Sequence, residues 1–594
     1  MLRVIADTAA RPLSIFRATA EPANLASGFS FEEWDDMDRF HWMERQARIS
    51  IEQKEEEYFF ELWVLSTFHD LSQILTIRVS DVDTSFSLPH WWSRVSIPVP
   101  PGATVLDLEA NKLLPAAHHP GDPRELSIQV RPPVFHADRD RHLHIDRQHK
   151  NAVRNITEML AGESRPGSTP RMLGIDMHGV CNVKPPCVYC DWDTAKDLEG
   201  ENVEAPFTRE TIEEWADFYD HAGTLVNCSI GEPFMMKNFD ELLDIFGAGG
   251  KVMEIVTNGQ ILTERNIEKL LGRDIDLYIS LDAATPETYA KLRNDRLELI
   301  LANLERLIAA KGGTRGLPRV HLVFMPMPVN VHELDAFVEL CAELQVDRLV
   351  LRPLNFSASL DLDWERSGYH FRYQDELLPF DELIRVSGRA AELGRTHGVK
   401  IVDQLDFGGA MEEKFEDQYA AGRDAAVEAL TDDQQQAGLT AKPGPPVAAT
   451  DPVLPVVGEP QPDPAAPAAG DLPSLGEEKV PLCTEPWKSL YILRRGVLPC
   501  CYGSTPIAPM SDYRQAWNSP VLQEIRRDLA AGRFHRYCLD SPACPIIRKS
   551  SHARELPLRQ ALIVRGREAW HRLDKLLWGV PRRIVGPIRA LFRN

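Results

Sequence analysis

Three cysteines lie close together in the segment GVCNVKPPCVYCDW, which spans residues 179–192. Five residues separate Cys181 from Cys187 and two separate Cys187 from Cys190, so the second pair forms a CxxC motif. Thiolates are soft ligands that select zinc, Cu(I) or iron–sulfur clusters. A structural zinc site usually has four protein ligands, whereas three thiols around a four-iron cluster leave one iron open to a substrate or cofactor. The incomplete set therefore favours catalysis.

Five more cysteines form a second group near the C-terminus: Cys483, Cys500, Cys501, Cys538 and Cys544. In a reducing compartment, clustered cysteines are more often metal ligands or catalytic thiols than disulfides. A structural zinc site that uses four of these thiols is the alternative to an iron–sulfur cluster. Cys228 and Cys341 stand apart from both groups and are predicted to be small buried core residues.

The composition narrows the possible partners. The chain has 594 residues and a formal net charge of -22, and an acidic surface repels the phosphates of nucleic acids. We therefore expect no nucleic-acid partner. No apolar stretch reaches the roughly 18 residues of a membrane-spanning helix, and the N-terminus lacks a signal-peptide pattern. These features predict a cytoplasmic protein.

A chain of this length is expected to contain two to four domains, which must position the cysteines. Changes in composition and in apolar periodicity predict six segments. They are a polar or helical N-terminal arm (1–54), a β-sandwich-like accessory domain (55–150), an α/β region (165–410), a disordered linker rich in Pro and Ala (411–480), a compact cysteine-bearing domain (481–550) and a basic amphipathic tail (551–594).

In the α/β region, apolar strand-like runs alternate with helical runs, which predicts a parallel sheet that is either barrel-like or doubly wound. In such sheets the chemistry lies at the C-terminal ends of the strands. The cysteine loop follows the first strand, and SIGEP (229–233), TNG (257–259) and ISLDAATPETYAKLR (279–293) follow or end later strands. Further polar candidates near strand ends are His178 beside the site, Arg352 as a substrate contact, and Asp403 and Asp406 as general bases or loop caps.

Taken in order over residues 172–355, these motifs resemble those of the radical S-adenosylmethionine (SAM) family, including an aromatic residue, Tyr189, before the last cysteine. The resemblance implies that Cys181, Cys187 and Cys190 ligate a [4Fe–4S] cluster whose open iron binds SAM. It implies cofactor contacts from Gly231, Glu232, Pro233, Thr257, Asn258, Ser280, Asp282 and Arg293. The first gap in the cysteine motif is five residues where the family usually has three, and Pro185 and Pro186 make it a rigid detour.

The family resemblance also implies a fold of the α/β class: a partial (β/α)6 TIM-like barrel between the N-terminal β-sandwich-like domain and a small cysteine-rich extension. The second cysteine group resembles the SPASM or twitch extension of such enzymes. That likeness implies one auxiliary [4Fe–4S] cluster held by Cys483, Cys538, Cys544 and one of Cys500 or Cys501.

The implied activity is reductive cleavage of SAM to a 5'-deoxyadenosyl radical, which takes a hydrogen atom from a substrate. A reductant such as flavodoxin or ferredoxin is then a partner, and the substrate is a peptide or protein, or a sugar or envelope precursor. Residues 548–594 carry twelve Lys/Arg against three Asp/Glu, which suits either peripheral contact with the inner face of the membrane or docking on the acidic protein body. The alternative function is a non-catalytic zinc-binding scaffold.

Overall fold

The structure of the protein is a computed structural model. It describes residues 26–30, 33–34, 39–68, 70–115, 124–175, 180–190, 209–228, 231–236, 238–247, 250–312, 316–354, 363–373, 375–405, 481–493, 496–503, 505–541, 544 and 546–547. Residues 1–25 of the predicted arm, the predicted linker and the predicted basic tail lie outside the described residues. Within the described ranges, no helix is long and apolar enough to cross a membrane.

An antiparallel β domain occupies the N-terminal part of the described chain. Its strands share one apolar core, which includes Met43, Phe60, Leu75 and Val95. The strands are β1 (Ala26–Phe29), β2 (Glu33–Trp34), β3 (Arg39–Ser50), β4 (Tyr58–Leu65), β5 (Ile74–Val79), β6 (Val82–Ser87), β7 (Ser93–Val99), β8 (Val105–Ala110), β9 (Gln129–Val130) and β10 (Val134–His136). The main strand order is β10-β4-β9-β3-β8-β5-β6, with β1 and β2 on β3 and β7 on β4.

Strand β3 shows that the prediction of a polar or helical arm over residues 1–54 was wrong for this segment. Met43, Ala47 and Ile49 are buried, and their even spacing places them on one face of a strand. β3 pairs with β9 near its start and with β8 near its end. Backbone pairing and burial outweigh the helical preference of its many charged residues. The accessory domain therefore begins before residue 55.

Helix α1 (Arg139–Leu160) joins the accessory domain to the rest of the chain. It begins at Asp138, whose carboxylate accepts a hydrogen bond from the Arg141 amide at 2.9 Å and so caps the first turn. The helix packs against β7. Its buried Asn155 donates to the Trp487 carbonyl at 2.8 Å, far along the chain. α1 therefore contacts both the N-terminal domain and the C-terminal segment.

A second, nearly all-parallel sheet forms the centre of the protein. Its strands are β11 (Met172–Ile175), β12 (Thr224–Asn227), β13 (Val252–Thr257), β14 (Ile275–Ser280), β15 (Arg319–Phe324), β16 (Arg348–Leu351), β19 (Ile401–Asp403), β20 (Ser489–Leu493) and β21 (Gly496–Leu498). The order is β19-β16-β15-β14-β13-β12-β11-β20-β21, and every pair is parallel except β20 with β21. A separate antiparallel hairpin, β17 (Asp363–Arg366) and β18 (Tyr369–Arg372), lies between β16 and β19 in the sequence.

Helices alternate with these strands, as the sequence predicts. They are α2 (Arg209–Glu214), α3 (Ala216–Tyr219), α4 (Phe239–Gly247), α5 (Glu264–Leu270), α6 (Pro286–Leu292), α7 (Leu297–Lys311), α8 (Leu334–Leu344), α9 (Phe380–His397), α10 (Glu485–Lys488), α11 (Tyr513–Trp517), α12 (Pro520–Ala530) and α13 (Arg536–Leu539). Alternate strand residues such as Ile255, Leu277 and Leu322 join the helices in the main core. The intervening residues form the opposite face of the sheet.

The sheet extends further than the predicted six βα units. Seven strands from the predicted α/β region lie side by side, and β20, from the predicted cysteine-bearing domain, pairs in parallel with β11. All five residues of β20 are buried, so this short apolar run continues the sheet instead of forming a separate core. The predicted domain boundary at residue 481 therefore does not separate two sheets, because β20 belongs to the same sheet as β11.

Candidate active site

The cysteine loop lies at the C-terminal end of β11, which is the edge of a parallel sheet where chemistry is expected. Cys187 is buried, and Cys181 and Cys190 are partly buried. The Cys190 amide donates to the Cys187 carbonyl at 3.0 Å, which closes the CxxC segment into a turn. The Lys184–Pro185 peptide bond is cis. His178, just before the loop, lies outside the described residues.

Glu232 of the GEP motif connects the loop to two neighbouring strands. Its amide donates to the Val180 carbonyl at 2.7 Å. Its carboxyl accepts from the Thr257 hydroxyl at 2.7 Å and from the Asn258 amide at 2.8 Å. Burial raises the pKa of Glu232 to about 7, against the lowering effect of these hydrogen bonds. The GEP and TNG motifs are therefore joined directly, because both oxygens of the Glu232 carboxyl accept hydrogen bonds from protein groups.

Asn258 also reaches the cysteine loop. Its Nδ2 lies 3.9 Å from Cys181 Sγ and donates to Asn182 Oδ1 at 2.8 Å. Asn182 Nδ2 in turn donates to Gln260 Oε1 at 3.2 Å. This chain of amides fixes the start of the loop against the end of β13. Sequence reasoning singled out Asn258 but missed Asn182 and Gln260, because isolated amides carry no motif.

Asp282 connects the end of β14 to the CxxC turn. It is fully buried and has a positive φ of 64°, a conformation that Asp tolerates better than most side chains. Its Oδ2 accepts from the Tyr189 hydroxyl at 2.5 Å and from Arg293 Nη2 at 2.8 Å. Its Oδ1 accepts from the Met325 amide at 2.8 Å. The structure therefore gives Asp282 protein partners where the resemblance implied a cofactor contact.

Arg293 completes this connection. Its Nη1 lies 3.5 Å from Cys187 Sγ, and the guanidinium is only 4% exposed. Burial raises the pKa of the Cys187 thiol, and the positive charge of Arg293 is the largest opposing effect. Arg293 was expected to reach the carboxylate of the cofactor. The structure shows it bound to Asp282 and beside a sulfur atom, and its contact with the cofactor stays a prediction.

The β17–β18 hairpin also holds the CxxC turn, a role that no motif in the sequence predicts. Trp364 Nε1 donates to the Val188 carbonyl at 2.6 Å. Arg366 Nη1 donates to the carbonyls of both Cys187 and Cys190, each at 2.9 Å. The Arg366 guanidinium lies 3.7 Å from the centre of the Trp364 ring. Two side chains therefore fix three carbonyl groups of the turn.

The remaining predicted residues occupy different positions. Gly231 is partly exposed, and Pro233 begins a buried 3₁₀ turn, Pro233–Met235. Ser280 ends β14 on the sheet face opposite the helices. Asp403 accepts hydrogen bonds from the Ser387 hydroxyl and, at 2.9 Å, from the Leu405 amide, which is a loop-capping role. Asp406 lies outside the described residues.

The donor set at the cysteine loop is compatible with a [4Fe–4S] cluster. Three thiols lie on one short loop, and an amide and a guanidinium face two of the sulfur atoms, as expected for groups that tune a cluster. Burial raises the pKa of Cys181 as well as of Cys187, so a bound cation is needed to hold both as thiolates. Among the described residues, no three Cys, His, Asp or Glu side chains converge on one ion position. Thiols of a four-iron cluster bind separate iron atoms.

The second cysteine group also comes together in space. Cys483 precedes α10, Cys500 and Cys501 follow β21, and Cys538 lies in α13, with Cys544 just beyond. Burial, with a smaller effect of the Cys544 thiol, raises the pKa of Cys483 and of Cys538 to about 12. Burial, Glu485 and Cys544 raise the pKa of Cys501 to about 12. Burial and Cys501 also raise the pKa of Cys500. Each of these thiols therefore lies within electrostatic range of at least one other thiol of the group.

Comparison with known proteins agrees with the site geometry. The family model "Radical SAM superfamily" matches residues 175–341. The chain is 25% identical over 209 residues to a probable GTP 3',8-cyclase of Methanococcus aeolicus, covering 34% of this chain and 63% of that protein. It is 29% identical over 188 residues to the mycofactocin maturase MftC of Mycobacterium tuberculosis, covering 30% and 45%.

Two further similarities were found. The PqqA peptide cyclase of Rhizobium meliloti is 23% identical over 228 residues, which cover 37% of this chain and 55% of that protein. The chain therefore spans about half to two thirds of the length of these curated relatives. The crystal structure of Streptococcus suis SuiB bound to precursor peptide SuiA has a TM-score of 0.41 at 14% identity, covering 67% of this chain and 74% of that one. A TM-score of this size does not establish a common overall fold. Residues 175–341 match a radical SAM domain, a family whose cofactors are a [4Fe–4S] cluster and SAM.

Proposed function

We propose that this protein is an enzyme that cleaves SAM reductively at a [4Fe–4S] cluster bound by Cys181, Cys187 and Cys190, and that it acts on a peptide or protein. The observation that carries the proposal is the convergence of three thiols with the ends of β12, β13 and β14. Glu232 and Asn258 join the first two strand ends to the loop, and Asp282 joins the third.

When bound, the cluster and SAM supply an electron and a 5'-deoxyadenosyl radical that takes hydrogen from an unreactive carbon. The protein residues hold this chemistry in place. Arg366 and Trp364 fix the carbonyls of the CxxC turn, and the buried Arg293 places positive charge beside Cys187. Burial of the Asp282 and Arg293 side chains keeps water away from this side of the loop.

A peptide or protein substrate is favoured over a sugar or envelope precursor by two relatives. One is named a peptide cyclase and the other a maturase. The family match also favours the enzyme over a zinc-binding scaffold. We further propose that an external reductant such as flavodoxin or ferredoxin supplies the electron.

We also propose one auxiliary [4Fe–4S] cluster at Cys483, Cys538, Cys544 and one of Cys500 or Cys501. The mutual electrostatic effects among these thiols support one shared site. Anaerobic reconstitution of Cys538→Ala should lower bound iron by about half relative to the unchanged chain, as expected for the loss of one of two clusters. An unchanged iron content would contradict the auxiliary cluster.

The main activity is tested by anaerobic reconstitution with iron and sulfide, reduction, and measurement of 5'-deoxyadenosine formed from SAM. Cys187→Ala should abolish this product. Cys341→Ala is the matched control, because Cys341 is also buried but lies in α8, within the apolar core. If Cys187→Ala keeps full turnover, or if the unchanged protein forms no 5'-deoxyadenosine, the proposed function is wrong.

A further inference from the structure

The central parallel sheet has a polar face opposite its helices. Some charged side chains on this face form ion pairs, and others contact only neutral groups. We define the polar face by residues in the strand phase opposite the apolar core. They include Glu254 on β13, Asp276, Tyr278 and Ser280 on β14, Arg319 and His321 on β15, Arg348 on β16, and Arg352 just after β16.

At the N-terminal end of these strands, the charges of the polar face already have partners. Arg319 Nε donates to Asp276 Oδ1 and its Nη2 to Asp274 Oδ1, each at 2.7 Å. His321 Nε2 lies 2.8 Å from the same Asp276 oxygen. Arg94 of the accessory domain adds a contact of 3.4 Å to Asp274. The charges of Arg319, Asp274 and Asp276 are therefore largely balanced by one another at this end of the polar face.

Arg352 differs because its partners are neutral. Its Nε donates to Gln404 Oε1 at 3.2 Å, and its guanidinium lies 4.8 Å from the centre of the Tyr278 ring. Among the described residues, no carboxylate forms an ion pair with Arg352. The residue follows the C-terminal end of β16, at the same edge of the sheet as the cysteine loop. A partly buried arginine with free guanidinium N–H groups is a strong site for a planar anion.

Glu254, the acidic side chain of the polar face that interacts electrostatically with Arg352, is a poor competitor for this arginine. Glu254 has no hydrogen-bond or ion-pair partner among the residues that the structure describes. Burial and the charge of Asp276 raise the pKa of Glu254 to about 7, while Arg352 opposes that rise. Near neutral pH a substantial fraction of Glu254 is therefore uncharged, so it neutralises Arg352 only in part.

We propose that Arg352, supported by Tyr278 and Gln404, binds a carboxylate of the peptide substrate on the polar face of the sheet. The carboxylate belongs to an acidic side chain or to the C-terminus of that peptide. Gln404 and the Tyr278 ring hold the guanidinium and leave its outer N–H groups for the anion. The inference rests on the proposed function and assigns a chemical class to what its substrate presents.

The test uses the reconstituted full-length protein and phenylglyoxal, which modifies free guanidinium groups, with mass spectrometry to read the rate at each arginine. N-acetylglutamate is the carboxylate probe, and N-acetylglutamine is its neutral counterpart. We expect N-acetylglutamate to slow modification of Arg352 at least twofold and N-acetylglutamine to leave it unchanged. Arg265, exposed on α5, is the control and should react at one rate throughout.

Equal rates at Arg352 with the two probes would overturn the proposal. A third arm contains SAM, which has a carboxylate of its own, and a fourth contains inorganic phosphate. Protection by SAM or phosphate but not by N-acetylglutamate would also overturn it, because the site would then select a different anion. In a direct binding measurement, Arg352→Gln should weaken affinity for N-acetylglutamate about tenfold, since a charge-assisted contact is lost. Arg352→Lys should restore part of that loss.

Formation of 5'-deoxyadenosine in the same preparations keeps this inference separate from the proposed function. If the product forms but Arg352 is not protected, only the carboxylate site is wrong. If Arg352 is protected but no product forms, the carboxylate site stands and the proposed radical chemistry is wrong.

Discussion

Arg366 is the residue at which the role of the β17–β18 hairpin can be measured most directly. Arg366→Gln removes the guanidinium that donates to the Cys187 and Cys190 carbonyls. A hydrogen bond from a charged group contributes about 1.5–3 kcal/mol. Because Arg366 is partly exposed and the turn can relax, we expect a loss near the value of one such bond, about 2 kcal/mol.

That loss should appear as local opening of the CxxC turn. At about 1.4 kcal/mol per factor of ten, it corresponds to roughly 30-fold faster hydrogen exchange at the Cys190 amide, which donates to Cys187. The assay is hydrogen exchange with mass spectrometry on the metal-free chain. Reconstituted protein should also release its iron to a chelator faster. Both readouts are independent of turnover.

Two further variants make the result specific. Trp364→Phe removes a single neutral donor to the Val188 carbonyl and should cost about 0.5–1.5 kcal/mol. Its increase in hydrogen-exchange rate should therefore be smaller than that of Arg366→Gln. Arg366→Lys keeps the charge but not the planar fork, so it should fall between the unchanged chain and Arg366→Gln. If Arg366→Gln leaves exchange in residues 187–190 unchanged, the hairpin does not hold the turn.

Three other predictions concern the sheet and the domain interface. Burial raises the pKa of Glu254 from 4.5 to about 7, so the folded state binds its proton more tightly. Glu254 should therefore make stability fall as pH rises from about 5 to 7, by up to about 3 kcal/mol, and Glu254→Gln should reduce the slope in urea titrations by this share and leave the part due to Glu232. Gly174→Ala places a methyl group 2.1 Å from the Tyr491 ring and should cost about 1–3 kcal/mol in denaturant unfolding. The cost should shrink on a Tyr491→Leu background, and an equal cost would refute the clash. Arg94→Ala, which leaves Glu61 and Asp274 short of a buried partner, should cost about 3 kcal/mol, whereas Arg48→Ala at an exposed ion pair should show no measurable loss in the same titration.

The parallel sheet was predictable because its strands are local. Each apolar run, such as the one ending at Thr257 or at Ser280, is bounded by turn residues and followed by a helical run. Alternation of this kind fixes both the parallel pairing and the edge at which the motifs meet. The GEP and TNG motifs meet at Glu232 for this reason.

The segments whose structure was predicted wrongly are strands that pair with strands far away in the sequence. β3 is a charged strand whose partners β8 and β9 lie about 60 to 90 residues later. β20 lies more than 300 residues after β11 in the sequence and still pairs with it. Propensity and periodicity describe a segment and its near neighbours, so neither predicts a strand that is stabilised mainly by a remote edge.

Individual roles at the site were harder to predict than their location. Asp282 and Arg293 were expected to face the cofactor, and both do lie at the cysteine loop. Their partners are set by a contact from Tyr189, 93 residues before Asp282, and by the sulfur of Cys187. A motif shows which residues meet, whereas the geometry of the side chains decides which of them remain available to a ligand.

The Asp282–Arg293 ion pair shows what these buried charges contribute. Its side chains are 0% and 4% exposed, and the desolvation of such a pair offsets much of its Coulomb attraction. Added stability is therefore a poor explanation for it. The pair instead makes further contacts to three different elements: Asp282 to Tyr189 and to the Met325 amide, and Arg293 to Cys187. Apolar residues of equal volume would fill the same space but would lose the contacts with Tyr189, the Met325 amide and Cys187. The pair consequently determines where the CxxC turn lies relative to β14 and β15 more than whether the sheet folds.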